Sequence, residues 1–499
     1  MSGGNVWVPC HHRMAEVGAS DSREDALAYI RAASPEGWHN VEEPLWVAFV
    51  DHAPAMLESL ERYTPLRFTT NREPDPYAEL PGGKRFGRNV SAQPLAVGLL
   101  GPWRDRLREP SRLLRFRLRY EEAVDTHFYV NPKKWMPRFL PRLLWRWLRG
   151  LRTMGNALVI GLLRGALDHG CEIRTNARVT ALSETAGRVS GVEAEIDGRP
   201  TPFKARRGVV LASGGFEWNR EMMSRYLPGP VEWTGSPSSI TGDGQLMAQR
   251  ISARLDRMDQ ALVGGTVPFV YEGRLQGSTA ADYLLPHSML VNRHARRFVN
   301  EKQMNIGLAC LERDPETGQP LNLPAWRIYD SQFARKYPHA LPSRKLDGVF
   351  YTDPTLDGLA RQIEIDPHTL VQTAKTMSEF ARAGVDDDFG RGESIWDRQH
   401  IVDFRHGPNP TLGSIEVPPF YAMPFKASFF TTKGGVRTND KGQALHTDGS
   451  IIRGLYAAGS VMANPFGTKA MGAGTTLGPC LTWGYICGSE VVQEKLATT

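Results

Sequence analysis

Cysteine is scarce in this sequence, and no two cysteines have the Cys-x-x-Cys spacing of a metal or redox site. Isolated cysteines of this kind predict free thiols in a reducing compartment and no structural metal. The sequence also lacks internal repeats and low-complexity segments, so a repeat architecture is not expected. The five cysteines of the 499 residues are Cys10, Cys171, Cys310, Cys480 and Cys487.

Long apolar runs are missing as well. No uninterrupted apolar stretch reaches the roughly 18 residues of a membrane-spanning helix, and no basic segment followed by an apolar core opens the chain. We therefore expect neither a spanning helix nor export, and we predict a cytoplasmic protein. The 60 basic and 54 acidic residues give a net charge of +6, which alone does not indicate a nucleic-acid partner.

Small residues are concentrated near the C-terminus. Residues 455–458 predict a short apolar strand, after which Gly459 and Ser460 turn the chain outward. Three glycines between positions 472 and 478 precede an apolar pattern of helical spacing, so a helix should begin at a glycine-rich turn. The N–H groups of such a helix end can hold an anion or an electron-rich ring edge, such as the pyrimidine edge of a flavin. The alternative is that these glycines only make tight turns.

Three motifs occur in a fixed order in this region: TTKGG at 431–435, GLYAAGS at 454–460 and GAGTTLGP at 472–479. Together they resemble the C-terminal signature of the flavoprotein family that includes 3-ketosteroid Δ1-dehydrogenases and fumarate reductases. The resemblance implies an α/β fold, with a Rossmann-like FAD-binding domain that is discontinuous in sequence and an inserted α+β substrate-capping domain. The expected boundaries are 1–265 and 425–499 for the FAD-binding domain and 266–424 for the capping domain.

The resemblance implies FAD as the cofactor and no metal. A strand, a Gly-x-Gly-x-x-Gly turn and a helix would be expected to bind its pyrophosphate, and the sequence contains no such turn. Two explanations stay open: the sequence begins late, or the protein has lost part of its nucleotide site and is an inactive, flavin-free homologue. The residues expected to contact FAD are Ser2, Gly3, Gly4, Ala212, Ser213, Gly214, Gly215, Gly459, Ser460, Thr475, Thr476 and Leu477.

The same resemblance implies three catalytic positions. Tyr77 lies in a Pro/Gly-rich loop that would bring it over the substrate, although a loop tyrosine packed on its neighbours is an equal alternative. The backbone N–H of Gly474 would polarise a ketone oxygen. Asn305 stands where the steroid enzymes carry a proton-moving tyrosine, and Ala470 stands where a second tyrosine would assist the carbonyl. Asparagine cannot act as an acid or base near neutral pH.

The reaction implied is the transfer of two hydrogens across a carbon–carbon bond next to a carbonyl. TTKGG and the DDDFGRG loop at 386–392 favour the ketosteroid dehydrogenase branch. The expected substrate is a hydrophobic small molecule such as a 3-ketosteroid, and the electron acceptor is unknown. Reduction of an enone, or a fumarate-reductase-like reaction, is the alternative.

A basic and aromatic region, about 103–152, interrupts the first domain. Within it, arginines recur at helical spacing beside leucines and tryptophans, a pattern typical of a helix in a membrane interface. Residues 133–152 are therefore a candidate peripheral membrane contact. The alternative is a helix that packs on the protein body with an arginine-rich face toward solvent.

Local patterns predict several elements elsewhere. Helices are expected at 21–34, 44–63, 155–167 and from 245, with two more between 355 and 383. Strands are expected at 171–174, 177–184 and 189–195, and residues 207–217 should form a buried strand that ends in small residues. Arg297 and Glu301 should form an ion pair. The acidic run that begins at Asp386 is expected to be a solvated loop rather than a calcium site.

Overall fold

The computed structural model describes residues 3–109, 117–128, 130–227, 229, 233–279, 281–338 and 349–494. Its helices are α1 (Arg23–Ala33), α2 (His39–Tyr63), α3 (Tyr120–Asp125), α4 (Pro132–Leu148), α5 (Met154–Asp168), α6 (Arg220–Tyr226), α7 (Asp243–Arg250), α8 (Ser331–Lys336), α9 (Leu356–Gln362), α10 (Pro367–Ala383), α11 (Ile395–Gln399) and α12 (Leu477–Val491).

The strands of the same ranges are β1 (Asn5–Trp7), β2 (Phe68–Thr70), β3 (Asn89–Ala92), β4 (Leu95–Ala96), β5 (Leu151–Arg152), β6 (Ala177–Thr185), β7 (Arg188–Ile196), β8 (Arg199–Lys204), β9 (Val209–Leu211), β10 (Trp233–Thr234), β11 (Leu255–Asp256), β12 (Ala261–Tyr271), β13 (Arg274–Thr279), β14 (Ser288–Val291), β15 (Ala325–Asp330), β16 (Tyr351–Asp353), β17 (Phe420–Thr432), β18 (Gly435–Val436), β19 (Gln443–Leu445) and β20 (Ile451–Ala457).

An aromatic stack joins the start of the chain to its end. Strand β1 is in an antiparallel sheet of order β1-β3-β2. Its Trp7 is fully buried and stacks on Phe49 of α2 with ring centroids 5.8 Å apart, and Phe49 stacks in turn on Trp483 of α12 at 6.2 Å. Offset aromatic pairs add about 0.5–1.5 kcal/mol beyond the area they bury. The stack therefore fixes α12, and the glycine-rich turn before it, against β1.

A second small sheet brings two strand ends together. β20 pairs in parallel with β9, so that Leu455 lies opposite Val209, and β19 completes the order β19-β20-β9. Because parallel strands end at the same edge of a sheet, residues 212–215 and 458–460 leave the sheet side by side. The expected strands at 177–184 and 189–195 are also present, as β6 and β7.

The middle of the chain builds a seven-stranded sheet of order β13-β12-β17-β15-β14, with β10 and β16 also pairing with β17. The first half of the thirteen-residue strand β17 pairs with β15 and β16, and its second half pairs with β12 and β10. The apolar clusters that pack on the sheet include Val263, Phe429, Ile328 and Leu370. The mixed helix and sheet content agrees with the expected α/β class and its α+β second domain. The domain boundaries at 265 and 424 stay a prediction.

A buried ion network lies beside this sheet. Arg297 donates to both carboxylate oxygens of Glu301 (3.0 and 2.9 Å), which confirms the predicted ion pair, and also to both oxygens of Asp386 (2.8 Å each). Arg391 lies 3.2 Å from Glu301. All four side chains are nearly inaccessible to solvent. The prediction of a solvated loop at Asp386 is therefore wrong for this residue, because Arg297 draws its carboxylate into the interior.

Three other local predictions need correction. Residues 171–174 form no strand and are largely exposed. Helix α2 begins at His39 rather than at Pro44, and α7 begins at Asp243 rather than at Gln245. The other predicted helices are present, and the side chain of Ser22 caps α1 by accepting a hydrogen bond from the N–H of Asp25 (3.0 Å). All five cysteines are free thiols.

Helix α4 is amphipathic, but its exposed side carries apolar residues as well as arginines. Phe139 and Arg146 face the interior, where Arg146 pairs with Glu122 at 2.7 Å. No helix in the described part of the chain is both long and apolar enough to cross a membrane. The exposed apolar side chains of α4 are Leu140, Leu144, Trp145, Trp147 and Leu148, each more than half accessible.

Candidate active site

The N-terminus of α12 presents backbone N–H groups that no other group of the described chain binds. The amides of Gly474, Thr476 and Leu477 have no hydrogen-bond acceptor there, although all three residues are partly accessible. The hydroxyl of Thr475 is already committed, since it bridges the N–H and the carbonyl of Gly472 (2.7 and 2.6 Å). Free amides at the positive end of a fifteen-residue helix can bind an anion or an electron-rich ring edge.

Strand β1 and the glycines before it pack directly on this turn. Gly474 adopts φ +97° and lies so close to β1 that an added Cβ would be 2.6 Å from the carbonyl carbon of Asn5. Gly4 has φ +75°, and its Cβ would be 2.5 Å from the N–H nitrogen of Gly155 at the start of α5. The side-chain oxygen of Asn5 is buried without a partner. Gly3 directly precedes Gly4 and Asn5. Ser2 lies outside the described residues.

The other predicted cofactor residues meet at the edge of the β9–β20 sheet. The side-chain amide of Gln245 donates to the carbonyls of Gly214 (3.1 Å) and Ser460 (3.4 Å), and so links the two strand ends. A Cβ on Gly215 would lie 2.1 Å from the hydroxyl of Thr432, so only glycine fits this position. Gly459 approaches the thiol of Cys480 in α12. Ala212 and Ser213 are exposed.

The structure thus brings the predicted FAD residues into two adjoining groups, around α12 and around the sheet edge. The unbound amides of Thr476 and Leu477 suit the pyrimidine edge of a flavin, which becomes negative on reduction, and the N–H of Gly474 is left for a second acceptor. The unpartnered oxygens of Asn5 and Gln245 can accept hydrogen bonds from a ligand. The described residues therefore fit the ring of FAD. Gln245 was not predicted as a site residue, although the predicted helix begins at that position; α7 itself begins at Asp243.

Two buried titratable groups lie beneath these groups of residues. Burial raises the pKa of Glu217 to about 7, and it lowers the pKa of Lys433 to about 8. One oxygen of Glu217 accepts from the N–H of Thr432 at 2.7 Å, whereas the other has no partner. Burial thus favours the protonated form of this carboxyl group. The burial of Glu217 and Lys433 was not predicted from the sequence, because only the tertiary structure buries these side chains.

We expect Glu217→Gln to make the stability of the protein less dependent on pH. The folded-state pKa of Glu217 is raised above its ordinary value of 4.5, so the folded state binds more protons between about pH 4.5 and about pH 7. Stability is then lost as pH rises through that range, by roughly 3 kcal/mol. Urea unfolding of the glutamine variant should show none of this loss. The control is Glu316→Gln at an exposed position, and equal pH slopes for wild type and Glu217→Gln would contradict the prediction.

The loop that carries Tyr77 is fixed to β1. Asp75 accepts from the indole N–H of Trp7 (2.9 Å) and from the guanidinium of Arg88 (2.9 Å). Burial raises the pKa of Asp75 to about 6, while Arg88 opposes that rise. The Nζ of Lys469 lies 5.3 Å above the ring of Tyr77. The structure thus places Tyr77 against the segment that leads to Gly474.

Asn305 lies against the same segment. It adopts φ +57°, and its side-chain amide donates to the carbonyl of Thr468, next to Lys469 and Ala470. Its side-chain oxygen is buried and has no partner among the described residues. Ala470 is also buried. The structure therefore brings Tyr77, Asn305 and Gly474 to one segment, 468–474, but their catalytic roles stay a prediction. No group of three or more potential metal ligands occurs in the described part of the chain.

The fold and this site together define a flavin-dependent oxidoreductase. A family model described as an FAD binding domain matches residues 1–477, and the chain belongs to that family. FAD is its cofactor. Within the family the protein resembles the 3-ketosteroid Δ1-dehydrogenases.

Individual relatives agree with this assignment. The chain is 35% identical to the 3-oxosteroid 1-dehydrogenase of Mycobacterium tuberculosis, over 99% of this chain and 91% of the relative. It is 32% identical to the 4-oxocyclohexanecarboxylate 2-dehydrogenase of Sinomonas cyclohexanicum, over 99% and 86%. The crystal structure of 3-ketosteroid Δ1-dehydrogenase from Sterolibacterium denitrificans with 1,4-androstadiene-3,17-dione superimposes with a TM-score of 0.90 at 32% identity, covering 99% of this chain and 92% of that one.

Proposed function

We propose that this protein oxidises a CH–CH bond next to the carbonyl of a flat, hydrophobic cyclic ketone, with a 3-oxosteroid as the substrate class. The observation that carries the proposal is the unbound N–H of Gly474, which lies at the end of the segment that contacts Tyr77 and Asn305. Bound FAD would supply the hydride acceptor for one of the two carbons. The protein must bind the ketone, polarise it and remove a proton from the other carbon.

Gly474 and Tyr77 supply hydrogen-bond donors. The N–H of Gly474 is rigidly held, since its carbonyl accepts from Trp7 (3.3 Å) and Gly478 (2.8 Å), and it can stabilise negative charge on the ketone oxygen. Burial raises the pKa of Tyr77, so its phenol stays protonated at neutral pH and donates rather than accepts. Asn305 offers its unpartnered oxygen as an acceptor for a polar group of the substrate.

The test begins with an absorption spectrum of the purified protein. The spectrum should show bound flavin, and anaerobic 4-androstene-3,17-dione should bleach it. With an artificial electron acceptor, mass spectrometry should find a product that has lost two hydrogens. A flavin-containing protein that no 3-oxosteroid bleaches would refute the steroid substrate. In that case 4-oxocyclohexanecarboxylate is the second candidate, because the exposed Lys469 beside Tyr77 can pair with a carboxylate.

We propose further that α4 binds the surface of an anionic membrane. Its exposed leucines and tryptophans stand among the exposed Lys133, Lys134, Arg138, Arg142 and Arg149, so apolar side chains can enter the acyl boundary while the cations meet phosphate groups. A membrane-bound dehydrogenase would meet a hydrophobic substrate where that substrate dissolves.

The combined variant Leu144→Glu and Trp147→Glu should weaken this binding at least ~10-fold, because each lost apolar contact is worth roughly 1.5–3 kcal/mol. Sedimentation with phosphatidylglycerol vesicles measures the effect, and neutral phosphatidylcholine vesicles test the charge requirement. Val371→Glu, at an exposed apolar position on α10, is the control. Equal sedimentation of wild type and the combined variant would contradict the proposal.

A further inference from the structure

The proposed reaction needs a base that the predicted catalytic residues do not provide. Asn305 and Ala470 have no titratable group. The phenol of Tyr77 has no hydrogen-bond acceptor in the described chain, so it has no neighbour to receive its proton. Lys469, above the ring of Tyr77, is exposed. A base for this step must therefore be a phenol or carboxylate that lies near residues 3–4, the predicted flavin loop, and already contacts a proton acceptor.

Tyr120, the first residue of α3, has such a connection. Its hydroxyl donates to the two oxygens of Glu73 at distances of 3.0 and 2.9 Å. A Cβ placed on Gly3 would lie 3.7 Å from the ring of Tyr120 and 3.7 Å from the side-chain nitrogen of Asn5. The phenol thus adjoins the predicted flavin loop. Asn5 in turn contacts Gly474, so Gly3 and Asn5 link Tyr120 to the proposed carbonyl donor through successive contacts.

The carboxylate of Glu73 is buried, and it has hydrogen-bond partners besides Tyr120. Its side chain is 1% accessible, and it accepts from the side-chain amide of Asn89 (2.8 Å) as well as from Tyr120. Nδ1 of His400 lies 2.8 Å from the oxygen Oε1 of Glu73. Glu73 lies four residues before Tyr77 in sequence, so the carboxylate belongs to the loop that carries the predicted substrate tyrosine.

His400 leads from this buried carboxylate to solvent. About a fifth of its side chain is accessible (21%). Its ring stacks on Trp396 with centroids 4.1 Å apart, and its carbonyl accepts from the ammonium of Lys302. Both the ring and the backbone of His400 are therefore held in place. Tyr120, Glu73 and His400 form a continuous hydrogen-bonded chain from the flavin loop to the surface.

We propose that these three residues are the proton relay of the reaction, an inference that rests on the proposed function. Tyr120 takes the proton from the carbon next to the ketone as the C–H bond breaks, and the phenol's own proton passes to the carboxylate of Glu73. The electron pair of the C–H bond moves to the ketone oxygen, where the N–H of Gly474 stabilises the enolate. The proton then leaves Glu73 to solvent through His400. Glu73 and His400 act through Tyr120 and are positioning residues.

A hydrogen bond between a tyrosine and a carboxylate does not by itself make a proton relay. The hydroxyl of Tyr456 donates to Glu494 at 2.7 Å, but this pair lies at the far end of α12 from Gly474. Only the pair with Tyr120 combines, within the described residues, contact with the flavin loop and a histidine behind the carboxylate. Tyr456 thus offers a matched control for the loss of a phenol–carboxylate bond.

The test measures proton removal without requiring oxidation. The protein is incubated anaerobically with 4-androstene-3,17-dione in D₂O, without an electron acceptor, and deuterium uptake next to the ketone is followed by mass spectrometry. Tyr120→Phe and Glu73→Gln should lower the exchange rate at least ~100-fold, the usual contribution of a general base. Tyr456→Phe should exchange at the wild-type rate. Glu73→Asp, which keeps a carboxylate, should recover part of the loss.

Each outcome decides a different point. Exchange by Tyr120→Phe within a few-fold of wild type would overturn the relay and leave the proposed function standing. A wild-type protein that neither exchanges nor oxidises any 3-oxosteroid would refute the proposed function, and the relay with it. Because a misfolded variant would also lose exchange, flavin absorbance and thermal unfolding are measured for each protein. A Glu73→Gln variant with normal flavin absorbance and thermal unfolding that still loses exchange supports the relay. Glutamine keeps the shape of the side chain but cannot take a proton.

Discussion

Replacing Gly474 by alanine is expected to remove most of the bound flavin and to lower the rate of ketone oxidation at least ~100-fold. Gly474 adopts φ +97°, where a side chain is strained, and the new Cβ would meet the carbonyl of Asn5 at 2.6 Å and the nitrogen of Val6 at 2.7 Å. All of these contacts are backbone atoms of β1, which the Trp7 stack holds in place. The turn must therefore shift, and the N–H of Gly474 moves with it.

Flavin absorbance relative to protein absorbance, together with steady-state rates, measures this effect. Gly484→Ala is the matched control, since Gly484 lies in the same helix region with open space around its Cα. Alanine there should be neutral, or stabilise the helix by about 0.5–1 kcal/mol. Normal flavin content and rate in Gly474→Ala would show that the α12 turn neither binds the ring edge nor polarises the ketone.

Replacing Arg297 by methionine is expected to lower the free energy of unfolding by about 3–5 kcal/mol. Methionine fills a similar volume but leaves the carboxylates of Glu301 and Asp386 buried without their shared cation. Arg391 stays beside Glu301 at 3.2 Å and compensates only one of the two. Urea unfolding, monitored by tryptophan fluorescence, measures the change.

Asp168→Asn is the control for this prediction, because it breaks the exposed ion pair between Arg164 and Asp168 in α5. Exposed pairs contribute about 0–1 kcal/mol, so this variant should unfold almost like wild type. If Arg297→Met also lost under about 1 kcal/mol, the two carboxylates would have to be neutral or rehydrated, which contradicts a buried network.

Local sequence signals predicted the elements that local physics determines. Ser22 caps α1, and Asp366 caps α10 by accepting from the N–H of Thr369. Residues 171–174 are different: their pattern resembles a strand, but no neighbouring strand lies alongside them in the described fold, and a strand needs a partner. Likewise, the acidic run that begins at Asp386 does not predict that Asp386 is buried, because its partner, the guanidinium of Arg297, lies 89 residues earlier in the sequence.

The candidate site also contains features that the sequence predicted and features that it could not predict. Gly4, Gly215 and Gly474 were predicted from motifs, and the structure shows why each must be glycine, since a Cβ would meet neighbouring atoms at 2.1–2.6 Å. The bond between Glu73 and His400 joins residues 327 positions apart, and no periodicity or motif connects them. Contacts between residues that are distant in sequence can be identified only in the folded structure.

The beginning of β12 and the end of β17 have a mechanical consequence. Ala261 is paired with Thr432, so the first residue of β12 and the last residue of β17 lie side by side in one ladder. Such a ribbon bends easily across its flat face but resists sliding of one strand past the other, because sliding breaks every bond of the ladder at once. Any movement of the large sheet relative to the Thr-Lys-Gly-Gly turn after β17 is therefore expected to bend this ladder rather than to shear it.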